Sequence, residues 1–281
     1  MRTPQEMIDL ILDVAQKDDL IRAVLLSGSR ANVDSQADIY QDFDITYVVK
    51  DVNPYWDNES WICEKFSKPS LMQKPESMKL IAPDNNGNFV YLMVFPDGNR
   101  IDLSITKHIE TSSGEPMITL LDKDHLYSDV KVSRDYWYVK KPTQKMFDDC
   151  CNEFCWCLNN IAKGIARDEL TYTMKMLNIV NDMLLIMLGW YVGVNNDFSV
   201  SVGKYGKYLK KYLPTTLYQK LENTYPTANV NSLWNSTYAL IDLFSEVAKV
   251  VSVKLGLQYN QEEEQAIRTY LNQVKNNQLK Y

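Results

Sequence analysis

The first apolar residues, Met7, Leu10, Ile11 and Val14, fall at i, i+3, i+4 and i+7, which predicts a helix whose one buried stripe packs on a sheet. The period then shortens. Residues 21–27 form an apolar run that reads as a first strand, the polar stretch to 41 has no periodicity, and 42–50 read as a second strand. Within that polar stretch, Ser35 to Asp38 are expected to be mobile without substrate. From Asn53 to Asn88 the pattern is mixed and punctuated by Pro54, Pro69, Pro75 and Pro83, with a short helix predicted at 58–66. Phe89 to Phe95 and Arg100 to Thr106 are rich in β-formers and flank Pro96-Asp97-Gly98-Asn99, a strong turn signal, so they predict a hairpin.

After a connecting segment at 107–142 the period becomes helical to the end of the chain. Phe147, Cys150, Phe154, Leu158, Ile161 and Ile165 make one face; Val230, Leu233, Trp234, Thr237, Leu240, Ile241, Phe244, Val247, Ala248 and Val251 make a longer one. A last helix at 261–275 opens on Glu262-Glu263-Glu264, acids placed well for a helix N-terminus. The fold class predicted is α+β: a mixed sheet with flanking helices over 1–141, then a helical bundle over 142–281, divided near Lys141-Pro142.

Composition narrows the partners. A chain of 281 residues is long enough for two modest cores. With Lys+Arg 30 against Asp+Glu 36, it has no overall bias toward nucleic acid, and a cationic small molecule fits better. The amphipathic start carries acids and lacks the basic region and cleavage site of a signal peptide. The longest apolar run, Met183 to Val194, falls short of the about 20 residues that span a membrane. A soluble protein without membrane contact is expected. Five cysteines is an odd count, and Cys150, Cys151, Cys155 and Cys157 crowd into one predicted helix, which suits a reducing cytoplasm. With no histidine near them they read as small core residues rather than zinc ligands. His108 and His125 lie in no recognisable catalytic motif.

The chemistry concentrates between residues 24 and 44. An apolar strand ends at Gly28-Ser29-Arg30, where backbone N–H groups and a hydroxyl can face phosphate oxygens. Asp42 and Asp44 follow on the second strand, pointing the same way at about 6.5 to 7 Å, while Phe43 and Ile45 point into the core. Carboxylates so placed suit Mg²⁺, which takes oxygen ligands and commonly shares them with substrate phosphates. On the hairpin's second strand Asp102 shares a face with Ser104, opposite Ile101, Leu103 and Ile105, and can join as a third ligand. Three close carboxylates repel one another, and bound metal relieves that.

Two features lie in the helical half. Asp182 sits among Val180, Met183, Leu184 and Leu185; if buried, its raised pKa suits a general base, and otherwise it shares a wet stripe with Asn178 and Asn181. In Gly203-Lys204-Tyr205-Gly206-Lys207-Tyr208, two lysines alternate with aromatic rings. Either this is a solvated basic helix start, or Lys204 or Lys207 meets a triphosphate across the interdomain cleft while a tyrosine flanks the base.

The runs GSRAN, QDFDI and RIDLSI resemble the nucleotidyltransferase superfamily typified by DNA polymerase beta. LMQKPESM, LLDKD, KKPTQKMFDDCCNEFCW and GKYGKYLKKYL extend the resemblance over most of the chain, and it is closest to the aminoglycoside 6-adenylyltransferases, which modify streptomycin. The resemblance implies an N-terminal nucleotidyltransferase domain and a C-terminal substrate-binding domain. It further implies transfer of AMP from ATP to a drug hydroxyl, most closely the 6-hydroxyl of streptomycin, with release of pyrophosphate and resistance to the antibiotic. Mg²⁺ is expected on Asp42, Asp44 and Asp102, the triphosphate on Gly28, Ser29 and Arg30, and a lysine, Lys204 or Lys207, from the helical domain. The base is expected from that domain too, at Asp182; because its position differs between adenylyltransferase subfamilies, Glu153 and, in the hairpin turn, Asp97 are weaker candidates. The expected partners are ATP and a cationic aminoglycoside such as streptomycin, with no nucleic acid and no membrane, and the chain is expected to be a monomer. Other acceptors, a lincosamide-type drug or a protein hydroxyl, remain open. A non-catalytic antitoxin-like module ranks last because the three acids are present, and neither a GxxxxGK[ST] nor an HxD…N pattern supports a phosphotransferase.

Overall fold

The computed structural model describes residues 1–32, 35, 37–80, 87–110, 115–127, 133 and 135–278. Of the stretch expected to be mobile, Gln36 lies outside the described residues. The chain divides into two compact units, Met1–Tyr136 and Trp137–Tyr281; sequence periodicity placed the division near Lys141-Pro142.

The first unit is built on a sheet in the order β3-β4-β5-β2-β1-β6. Its strands are β1 (Ile21–Ser27), β2 (Phe43–Val49), β3 (Leu71–Gln73), β4 (Phe89–Val94), β5 (Arg100–Thr106) and β6 (Ile118–Asp122). Helix α1 (Pro4–Lys17) begins at a capping box in which Thr3 accepts from the Glu6 N–H and Glu6 accepts from the Thr3 N–H. Met7, Ile11, Val14 and Ala15 of α1 enter a core with Phe43, Ile45, Tyr47, Ile101, Leu103 and Ile105. Side chains alternate along a strand, so this core takes the odd-numbered residues of β2 and β5 and turns Asp44 and Asp102 to the other face. The hairpin is present as expected, β4 pairing antiparallel with β5 from Phe89↔Ile105 to Val94↔Arg100. β2 and β5 run parallel, which makes the sheet mixed. Short helices α2 (Gly28–Ala31) and α3 (Glu59–Phe66) complete the elements named in this unit.

The segment predicted as connecting chain at 107–142 contains an edge strand, β6, that pairs antiparallel with β1. Its burial runs from exposed to intermediate without alternation, so the period-two signal of a half-buried strand is missing.

The second unit is helical: α4 (Gln144–Ala166), α5 (Leu170–Asn195), α6 (Leu209–Tyr212), α7 (Thr215–Glu222), α8 (Val230–Leu255) and α9 (Gln261–Lys275). The predicted faces of α4 and α8 form its core, where Phe154 stacks on Phe244 at 3.8 Å between centroids. Val230 is the exception, 49% exposed at the helix start. Cys150, Cys151 and Cys157 are buried among these side chains. Glu264 of α9 turns inward at 9% exposure, held by Arg268 at 2.9 Å and Lys249 at 3.2 Å. Counting only the run Met183 to Val194 understated α5. The whole helix of 26 residues is apolar and long enough to cross a membrane, yet Leu177, Val180, Leu184, Met187 and Leu188 are its buried contribution to the bundle core.

Candidate active site

β1 ends at Ser27, and the chain turns at once into α2 through Gly28, whose φ is +67°. That conformation is open to glycine and strained for other residues. Space makes the same demand: a Cβ built on Gly28 would overlap Asp44 Oδ2 and lie 2.7 Å from Asp44 Cγ. The carboxylate of Asp44 therefore rests on the turn that begins α2. Across the parallel pair, Asp44 is in register with Asp102, so the two carboxylates share the face away from α1, one strand spacing apart, about 4.8 Å.

Asp42 lies just before β2. Its approach is set by Arg30, which donates from Nε to the Asp42 carbonyl at 3.0 Å and from Nη2 to the Gln41 carbonyl at 2.8 Å. The guanidinium also lies 3.9 Å from the centroid of the Phe43 ring. Gln41 returns a bond from Nε2 to the Ser29 carbonyl at 3.2 Å. Gly28, Ser29 and Arg30 are thus bound to the segment that carries Asp42 and Asp44.

Among the described residues, Arg100 is the cation that pairs with the acids' side chains. Arg100 donates from Nε and Nη2 to the two oxygens of Asp102, each at 2.7 Å, and its Nη1 is 3.5 Å from Asp42 Oδ2. Burial pushes the Asp42 carboxyl up, against the pull of Arg100. Asp44 is pushed further, from the ordinary 3.8 to about 6, first by burial and then by the charges of Asp102 and Asp42, with a smaller contribution from Glu115. Among the described residues, no three His, Cys, Asp or Glu side chains are gathered as a metal-ligand set. The donors are nonetheless chemically suited to a hard cation, being carboxylate oxygens, and Arg100 lies where it bonds Asp102 and forms a longer ion pair with Asp42. Farther along the same face, Thr46 and Ser104 line a cavity of about 810 Å³ with Thr106, Lys107, His108 and Glu110.

The Asp44 shift predicts a pH dependence for the metal-free protein. Because the folded-state value is raised, the contribution to stability is fully present below 3.8 and is lost as pH rises through about 6. In EDTA, Asp44→Asn should melt higher than wild type above pH 6, and that advantage should vanish near pH 4. An advantage independent of pH would remove Asp44 as its source.

The helical unit holds a second cavity, of about 580 Å³, lined by Trp137, Val139, Asp182, Leu185, Trp190, Lys204 and Tyr205 among others. Burial was the reason to regard Asp182 as a tuned base, and the side chain is exposed. Helix geometry explains the difference: Asn181 faces the bundle at 8% exposure, with Thr224 Oγ1 at 3.5 Å, and one residue on, about 100° around the helix, Asp182 joins Asn178 on the wet side. Lys204 lines this cavity with its Nζ 5.3 Å from the Tyr205 ring centroid; Lys207 instead lies 5.1 Å from that of Tyr208. Tyr205 has φ +56° and is 77% exposed, a strained backbone at the cavity wall.

The family model described as Streptomycin adenylyltransferase matches residues 1–274. The chain belongs to the streptomycin adenylyltransferase family. It is 38% identical over 267 residues to the aminoglycoside 6-adenylyltransferase of Bacillus subtilis (strain 168), covering 92% of this chain and 93% of that relative. The protein of the same name from Campylobacter jejuni is 36% identical, with 92% and 91% covered, and that from Staphylococcus aureus 33%, with 90% and 92% covered. A crystal structure of an aminoglycoside 6-adenyltransferase from Bacillus subtilis is 34% identical and aligns over 98% of this chain and 99% of that one, with a TM-score of 0.49. As a member of the streptomycin adenylyltransferase family, the chain is a nucleotidyltransferase.

Within this adenylyltransferase the weaker base candidates have other work. Asp97 accepts from Arg2 Nε at 2.7 Å, from the Arg2 N–H at 3.0 Å and from Asn99, and these bonds hold its carboxyl far below the usual range. It fastens the hairpin turn to the start of the chain. Glu153 is an exposed residue of α4 that accepts the Cys157 thiol at 3.3 Å. His108 and His125 are exposed. Two residues escaped the sequence reading. Arg100 was visible in principle, since residues two apart on a strand share a face and Arg100-Ile101-Asp102 is such a pair. Glu115 carried no signal, lying between β5 and β6 in a stretch without periodicity.

Proposed function

We propose that this chain transfers AMP from Mg²⁺-ATP to a hydroxyl of an aminoglycoside, the 6-hydroxyl of streptomycin being the leading acceptor, and releases pyrophosphate. The observation that carries the reading is the register of Asp44 with Asp102 above the Gly28 turn, in a chain whose relatives are named aminoglycoside 6-adenylyltransferases. Asp42, Asp44 and Asp102 would hold Mg²⁺, which when bound neutralises phosphate charge and polarises the reacting oxygens. Gly28 and Ser29 present N–H and hydroxyl donors to the triphosphate. Arg30 fixes their position relative to Asp42 and adds positive charge on the phosphate side. The acceptor oxygen attacks the α-phosphorus, its bond to the β-phosphate oxygen breaks, and pyrophosphate leaves; positioning supplies much of the rate. A cytoplasmic location belongs to the same proposal, supported by five cysteines that are all free thiols.

In this reading the helical unit carries the candidate base Asp182 and the candidate triphosphate lysines, Lys204 and Lys207. Of the two lysines, the cavity wall favours Lys204. Asp182 is assigned to take the acceptor proton from a solvent-accessible position. Asp182→Asn should lower kcat by about a hundredfold while ATP binding is retained; an unchanged kcat returns Asp182 to the wet stripe of α5.

Mass analysis of drugs incubated with enzyme, ATP and Mg²⁺ tests the whole assignment. A gain of one AMP on streptomycin and none on kanamycin or spectinomycin is expected. Transfer to none of the three, or to kanamycin alone, sinks it.

A further inference from the structure

We infer that Arg100 is a positioning residue of the transfer reaction: it holds two of the carboxylates in the metal-free protein and makes metal and nucleotide binding depend on each other. The inference rests on the metal assignment of Asp42, Asp44 and Asp102 proposed above. Its geometric basis is separate from that assignment. Arg100 and Asp102 are two residues apart on β5 and project from the same face. The guanidinium fork engages both Asp102 oxygens at 2.7 Å and lies 3.5 Å from Asp42 Oδ2, so a cation taking Asp102 competes with a bidentate, charge-assisted pair and one taking Asp42 with a longer ion pair.

The arginine is free to let go. Its side chain is 42% exposed, against 21% for Asp102, and its backbone stays in the β4 ladder through Val94↔Arg100 while the long stem rotates. Charge decides where it goes. Once a divalent cation takes the carboxylates, the guanidinium has lost its partner beside the incoming triphosphate, whose oxygens match the same planar fork. A cation arriving alone must evict Arg100 with no replacement partner on offer. A cation arriving with ATP brings that partner, and the two bind cooperatively. A single-point surface ion pair would have neither effect, since such pairs are weak and screened; the two-point fork distinguishes this exposed one.

The test measures Mn²⁺ alone binding to the metal-free protein, from the EPR signal of the free ion, in wild type, Arg100→Gln, Arg100→Lys and Asp44→Asn. Circular dichroism establishes that each variant is folded, and Arg100→Lys retains the charge if the glutamine variant is unstable. Arg100→Gln should bind Mn²⁺ about tenfold more tightly than wild type, a typical coupling between sites. Arg100→Lys should lie between them, because an ammonium lacks the fork, and Asp44→Asn should bind none. The Mn²⁺ complex of α,β-methylene-ATP should bind Arg100→Gln no more tightly than wild type. Equal Mn²⁺ affinity in wild type and both Arg100 variants, with binding lost in Asp44→Asn, overturns the role of Arg100 and leaves the carboxylate assignment standing. Equal tightening for Mn²⁺ alone and for the nucleotide complex overturns the coupling. No Mn²⁺ binding in any variant, with or without nucleotide, overturns the carboxylate assignment and this inference with it.

Discussion

Asp44→Asn is expected to abolish AMP transfer, lowering kcat by about a thousandfold or more, on the order of 4 kcal/mol in the barrier. The carboxylate is the most central of the three: it rests on Gly28, pairs in register with Asp102, and has its carboxyl pushed up to about 6 by burial and by its acidic neighbours. Such a group is held in a place that its own ionisation disfavours, and a cation is the partner that would reverse the penalty. The amide occupies the same volume without the charge, so the fold should survive; relief of repulsion should even raise the thermal midpoint near neutral pH. Loss of activity together with a gain in stability is what separates this reading from a structural role, which predicts both falling. Asp102→Asn should behave similarly in activity, but it also removes the ionic acceptor of Arg100 and should gain less stability. Wild-type kcat in Asp44→Asn would falsify the metal assignment.

Parts of this arrangement were legible in the chain because they rest on local rules. The hairpin announces itself by Pro96-Asp97-Gly98-Asn99 between two runs of β-formers, and alternation on β5 then dictates that Asp102 faces away from Ile101, Leu103 and Ile105. The α4 face from Phe147 to Ile165 follows from spacing alone, and all six of its residues are buried. What escaped depends on partners distant in sequence. β6 is an edge strand whose pairing with β1 spans most of the first unit, with no alternation to reveal it. Arg100 is a different case, since its partner Asp102 is only two residues along the same strand face and alternation alone permits the pair. The exposure of Asp182 has a related origin: the apolar neighbours of a long core helix cover nearly its whole circumference, and the narrow exposed stripe is set by how α5 is rotated against α4 and α8. Arg30, expected on the phosphate side, is also a clamp on the carbonyls of Gln41 and Asp42, a task that sequence spacing does not express.

Gly28→Ala should lower kcat by about a hundredfold, although it removes no functional group. Two separate penalties act at this position, and they are distinguishable. The first is conformational: alanine at φ +67° is strained by roughly 1 kcal/mol. The second is steric and directed at the chemistry, since the new Cβ would overlap Asp44 Oδ2 and Asp44 must rotate away from it. A displacement of about 1 Å in a positioned group is enough for a loss of this size. Gly256 provides the control. It has φ +68° at the end of α8, with nothing within 4 Å of a built Cβ, so Gly256→Ala carries the strain without the clash and should reduce the thermal midpoint while leaving kcat unchanged. Combining Gly28→Ala with Asp44→Asn completes the argument. If the alanine acts through Asp44, the double variant should be no less active than Asp44→Asn alone, a strong departure from additivity. Additive losses would mean that Gly28 serves the reaction through its own backbone, as a donor to the triphosphate, and that its contact with Asp44 is incidental.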